Sequence, residues 1–175
     1  MSSSTACSSS RSELFDLPES GARFSACRRY RYELWRRWDC RLPSICFIML
    51  NPSTASEAAN DPTVTRCQER ARRLGYGSLF VGNIFAFRST DPKLLYMESD
   101  PIGHDNDAAI LSMALRSELV ICGWGGHGDL RGRGKAVEKL LGNAGIDMRA
   151  LKLNANGTPA HPLYLSYSLP PIPMP

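Results

Sequence analysis

The chain of 175 residues lacks any run of about eighteen apolar residues, so no segment reads as a membrane-spanning helix. Its opening residues, MSSSTACSSSRSELF, lack the apolar core of a secretory signal. A cytoplasmic protein with no membrane partner is expected. Cysteines stand at 7, 27, 40, 46, 67 and 122, with no C-x-x-C or C-x-x-H pair, which argues against a zinc finger or ribbon. In that compartment they read as reduced thiols, with Cys46 and Cys122 as core. The histidines at 104, 127 and 161 are too far apart for helical zinc spacing. There is no Walker loop and no G-x-S-x-G elbow. Neither a metal nor a cofactor is expected.

Apolar residues make up 43% and charged residues 22%, an ordinary globular balance that excludes a disordered, collagenous or coiled-coil chain. A chain of this length buries roughly two-thirds of its unfolded surface and needs no staple to fold. The net charge of +4 is concentrated in residues 28–41, RRYRYELWRRWDCR, where six arginines face only Glu33 and Asp39. Elsewhere basic and acidic residues balance. Arginines interleaved with Tyr30, Tyr32, Trp35 and Trp38 suggest either a nucleic-acid surface, with Arg28, Arg29, Arg31, Arg36 and Arg37 as phosphate contacts, or an edge hairpin with one solvated face.

Residues 1–24 read as a disordered Ser-rich tail, 25–169 as one α/β domain and 170–175 as a Pro-rich tail. Strands are expected over 28–34, 44–50, 78–83, 119–122 and 148–153. Asp61-Pro62 is a helix start, with Asp as N-cap and Pro at the first helical position. Val64, Cys67, Ala71 and Leu74 then share one helical face. Further helices are expected over about 105–116 and around Val137, Leu140, Leu141 and Ala144. Short apolar strands alternating with amphipathic helices predict a three-layer α/β/α sandwich with a short, mostly parallel sheet.

In such sheets ligands bind outside the carboxyl ends of the strands. There the sequence puts Asn51-Pro52-Ser53, Asn83 and Phe85, Trp124 between glycines, and His161-Pro162, with Asp61 close by. Amides read the edge of a polar ring, an aromatic stacks on it, and a histidine stabilises charge on its oxygen. Gly123-x-Gly125-x-x-Gly128, with Asp147 about twenty residues on, also matches a dinucleotide fingerprint. That reading requires a helix directly after Gly125 and Asp147 at a neighbouring strand's end. The acid-rich segment Asp100–Asp107 could offer oxygens to a hard cation but lacks the D-x-D-x-D-G spacing, and reads as a loop leading into a helix cap.

IMLNPSTAS, NDPTVTRC, GYGSLFVGNIFAFRSTDP, DPIGHDND, GWG and GTPAHPLYLS occur in this order. Together they resemble a bacterial family, domain of unknown function 1643, over roughly residues 28–169. More distantly, the order of Asn-Pro loop, strand-terminal Asn and late His-Pro resembles the uracil-DNA glycosylase superfamily. That resemblance implies the same sandwich fold and an N-glycosylase-like hydrolase acting on a flipped base. Asn51 and Pro52 would match the water-positioning loop, and Asn83 the base-reading Asn. His161 and Pro162, with Tyr164 following, would match the loop that closes on DNA. Asn51 or Asp61 would orient water, His161 would stabilise the departing base, and Phe85 or Trp124 would stack. The chain departs from that pattern in having Leu50 and Ser53 at the flanking glycines and His-Pro-Leu-Tyr for His-Pro-Ser-Pro. The expected partner is DNA or a nucleotide; a binding module on the same scaffold is the alternative.

Overall fold

A computed structural model describes residues 19–175. Strands β1 (Ser20–Phe24), β2 (Arg31–Arg37), β3 (Ser44–Met49), β4 (Ser78–Asn83), β5 (Leu119–Gly123), β6 (Met148–Ala150) and β7 (Ile172–Pro173) form one sheet, ordered β1-β2-β4-β3-β5-β6-β7. The helices are α1 (Pro62–Arg73), α2 (Leu94–Met97), α3 (Asn106–Leu115) and α4 (Arg133–Asn143). The central strands β4, β3, β5 and β6 pair in parallel. The flanking pairs β1–β2, β2–β4 and β6–β7 are antiparallel. The sheet is therefore mixed, not mostly parallel, because both margins close by antiparallel pairing.

Alternation along β3 explains the two cores. Ile45, Phe47 and Met49 meet Val64, Cys67 and Ala71 of α1 on one face. Cys46 and Ile48 meet Ile110 and Met113 of α3 and Val137 and Leu141 of α4 on the other. With helices on both faces, β3 carries no polar side chain between Ile45 and Met49, as a doubly buried strand must. Burial pushes the Cys46 thiol up to about 12 and raises Cys67 and Cys122 as well, so these three are packing residues and not nucleophiles.

Several expected boundaries move, among them the last parallel strand, which spans Met148–Ala150 and not 148–153. The strand placed at 28–34 runs from Arg31 to Arg37, preceded by a turn in which Arg28 takes a left-handed φ of 56°. Ser20–Phe24, expected within the tail, pairs with β2, and Ile172–Pro173 pairs with β6. The rest of the expected N-terminal tail, residues 1–18, lies outside the described residues. Among the described residues no helix is long and apolar enough to cross a membrane, and no group of three His, Cys, Asp or Glu gathers as a metal site.

Candidate functional site

The carboxyl ends of β3 and β4 lie side by side, with Met49 paired to Asn83. The chain leaving β3 turns over this edge as Asn51–Ser53. It is held by two bonds to a second loop: the Asn51 Nδ2 donates to Ser89 O at 2.9 Å and Ser89 N donates to Pro52 O at 2.9 Å. Asp61 caps α1 as its sequence requires: Oδ1 accepts from Val64 N at 2.8 Å, and Oδ2 accepts from Ala55 N at 3.3 Å. The cap therefore carries a carboxylate to the same edge.

Asn83 is fixed from behind. Asn106, fully buried on α3, donates from Nδ2 to Asn83 O and Ile84 O at 2.9 and 3.0 Å. The Arg133 Nε adds a bond to Ile84 O at 2.7 Å. His161 arrives from beyond β6. The segment leading to it crosses the end of β5, where a Cβ on Gly123 would stand 2.9 Å from Pro162 Cδ, so only glycine lets the chain pass. The Leu163 N–H donates to His161 Nδ1 at 3.3 Å. Nδ1 is thus an acceptor, and a neutral ring carries its proton on Nε2. Burial lowers the His161 pKa, and the nearby Asp61 charge opposes that shift.

Asn51, Ser53, Asp61, Asn83 and His161 line one pocket, together with Arg31, Met49, Thr63 and Val64. Arg31 is 2% exposed. It donates to Ala55 O at 3.1 Å and to Asn83 Oδ1 at 3.2 Å, while its Nε has no partner. Burial lowers its pKa to about 10 against the opposing pull of Asp61, so it stays charged at neutral pH. With Asn83 Oδ1 occupied by Arg31, the Asn83 amide nitrogen is the group left to donate. The Asn51 nitrogen is taken up by Pro52 O and Ser89 O, which leaves the Asn51 oxygen to accept. The cavity of about 40 Å³ has room for a few waters, far below the size of an ordinary ligand pocket.

The expected aromatics are not there. Phe85 and Trp124 belong to the core on the α3–α4 face, so no ring stacks within this pocket. Pro52 and Pro162 are buried packing residues, and Tyr164 is 91% exposed and outside the pocket. The arginine strip also divides. Arg31 turns into the pocket. Arg36 is buried on Asn60 Oδ1 and the carbonyls of Ser56 and Ala59, holding the loop before α1. Arg37 lies at the far end, beside Glu19, Trp38 and Cys40. Arg28 and Arg29 alone face an open groove of about 450 Å³, which Arg88, Phe87, Ser89 and Thr90 complete and which shares Ser53 with the pocket.

The dinucleotide reading fails on geometry. Residues after Gly125 form a kinked 3-10 stretch, Gly126–Gly132, and α4 begins only at Arg133. Asp147 precedes β6 at its amino end and pairs with Arg149. Sequence reasoning missed Thr63 and Met49, and it placed Arg31 on the surface. The signal for Arg31 is its strand: β2 runs antiparallel to β4, so its first residue falls beside the last residues of β4.

Residues 31–163 match the family described as a protein of unknown function, DUF1643, and the chain belongs to that family. No curated protein and no solved structure matches it.

Proposed function

We propose that this pocket is the hydrolytic site of an N-glycosylase-like enzyme that recognises a nucleobase. One observation carries the reading: a buried guanidinium, a carboxylate, two carboxamides and an imidazole from five separate segments meet at the carboxyl ends of two parallel strands. Its resemblance to the uracil-DNA glycosylase superfamily, on the Asn-Pro, Asn and His-Pro motifs, supports the same assignment. Asp61 accepts a proton from a water held in the pocket, and that water attacks C1′ of the sugar. The C1′–N bond breaks with its electron pair going to the base. His161 Nε2–H donates to the oxygen on which that charge settles. Asn83 donates to the base edge, and Arg31 holds Asn83 in place through its Oδ1.

The test is release of free base from oligonucleotides carrying uracil or another modified base. Native protein releases base. Asp61→Asn, which keeps the cap, lowers the rate by about 10²–10⁴, and His161→Ala lowers it by about 10²–10³. The lack of a stacking ring at the pocket favours a second reading, a non-catalytic nucleotide- or nucleic-acid-binding module. No release from any substrate, with binding unchanged in His161→Ala, establishes the module instead.

A further inference from the structure

We propose that Arg28, Arg29 and Arg88, with the hydroxyls of Ser53 and Thr90, form a phosphate site that seats a phosphorylated nucleoside at the mouth of the pocket. The groove is large enough for a ligand, at about 450 Å³, and no carboxylate lines it. Arg28 and Arg88 both lie over the ring of Phe24, at 4.0 and 4.9 Å. Two like charges sharing one aromatic plate repel each other; Glu57, whose carboxyl both guanidiniums hold below its ordinary range, offsets that repulsion, and a phosphate in its place brings more negative charge. Arg88 donates to Arg28 O at 3.0 Å but has no carboxylate within ion-pair distance among the described residues. Its Nε, closed off from solvent, has no partner.

Arg28 and Arg29 do have carboxylates, Glu57 at 2.9 Å and Glu98 at 2.8 Å, with both arginines more than half exposed. Exposed pairs of this kind are weak. They hold the guanidiniums ready for exchange to a phosphate, which presents more oxygens and more charge to the planar fork. The Ser89 hydroxyl is spent on the Asp91 turn. The Ser53 and Thr90 hydroxyls have no partner among the described residues and complete the donor set. Because Asn51 and Ser89 tie the two loops together, the phosphate is anchored beside Asn51 and Ser53 of the pocket.

The inference rests on the proposed reading only for the base; binding, not base release, is what its test measures. Calorimetric titration of the full chain uses deoxyuridine, deoxyuridine 5′-monophosphate and a ten-nucleotide single strand. At least one phosphorylated probe is expected to bind tenfold or more tightly than the nucleoside. Arg88→Gln weakens that binding about tenfold and lowers the slope of log K against log salt by about one. A tighter single strand identifies the source as a nucleic-acid backbone, and equal affinities identify a mononucleotide. If Arg88→Gln does not fold, Arg29→Gln carries the same expectation, since Arg29 holds no buried contact. Arg149→Gln, on strand β6 and paired with Asp147, leaves binding unchanged. The proposal is overturned if neither phosphorylated probe binds more tightly than the nucleoside, if no probe binds, or if the groove variants bind like the native chain.

Discussion

Two neighbouring parallel strands, β3 and β5, end in loops that the sequence marks as equally suited to a ligand, and they have opposite fates. After β5, Trp124 folds back under its own loop. A Cβ on Gly128 would stand 2.0 Å from its ring, and one on Gly134 would stand 2.9 Å away. These glycines make room for an indole, not for a pyrophosphate. After β3, the side chains at the strand end are carboxamide, hydroxyl and carboxylate, and they leave a polar cavity facing Arg31 and His161. Glycine spacing alone therefore does not distinguish a phosphate loop from a packing loop. The residue between the glycines decides: a large aromatic fills the space that they open.

The comparison breaks most sharply at Trp124. Trp124→Ala removes the largest fully buried side chain and is expected to cost about 3–5 kcal/mol in urea unfolding, with ligand binding at the pocket retained in the fraction that folds. Gly128→Ala is next, at about 1–3 kcal/mol from overpacking alone, since its φ is not left-handed. Combined with Trp124→Ala it should cost less than the sum of the two, because the indole it collides with is gone. On the other side, Asp61→Asn keeps the Val64 cap but loses the Oδ2 acceptor of Ala55 N and the charge facing buried Arg31, so it should cost about 1–3 kcal/mol, while base release in the folded fraction collapses. Base release that falls only as far as the folded fraction falls would make Asp61 structural only.

The smallest effect is a pH slope. The folded-state pKa of His161 lies below its unfolded value, ordinarily about 6.5. The unfolded chain therefore takes up the proton first. The contribution is complete above about pH 6.5 and is lost as pH falls from there toward the folded pKa. His161→Gln should flatten the urea midpoint across that window, and an unchanged slope would remove His161 as its source.

The parallel centre was legible because strands buried on both faces must be continuously apolar, as at 45–49 and 119–122. The Asp61-Pro62 start was legible because a cap is a local device: the cap bond to Val64 forms as expected. The margins were not. β1 lies in a Ser-rich stretch whose order comes from pairing with β2, a contact no local pattern announces. Phe85 and Trp124 were ambiguous because an aromatic at a strand end serves equally well as core or as platform. The convergence of Asn51, Asn83 and His161 followed from topology, since parallel strands bring their carboxyl ends to one edge. The place of Arg31 did not, because it depends on an antiparallel neighbour joining β4. Arg88 escaped notice for the same reason: its loop meets Arg28 and Arg29 only after β2 and β4 pair.

The central claim is that ligand enters at the β3–β4 edge and not at the glycine loop. Amide chemical-shift mapping with added deoxyuridine 5′-monophosphate tests it directly, reading the Asn51 and Asn83 side-chain amides against the backbone of residues 124–134. Shifts concentrated at Asn51, Asn83 and their neighbours are predicted. Shifts confined to residues 124–134 would contradict the account.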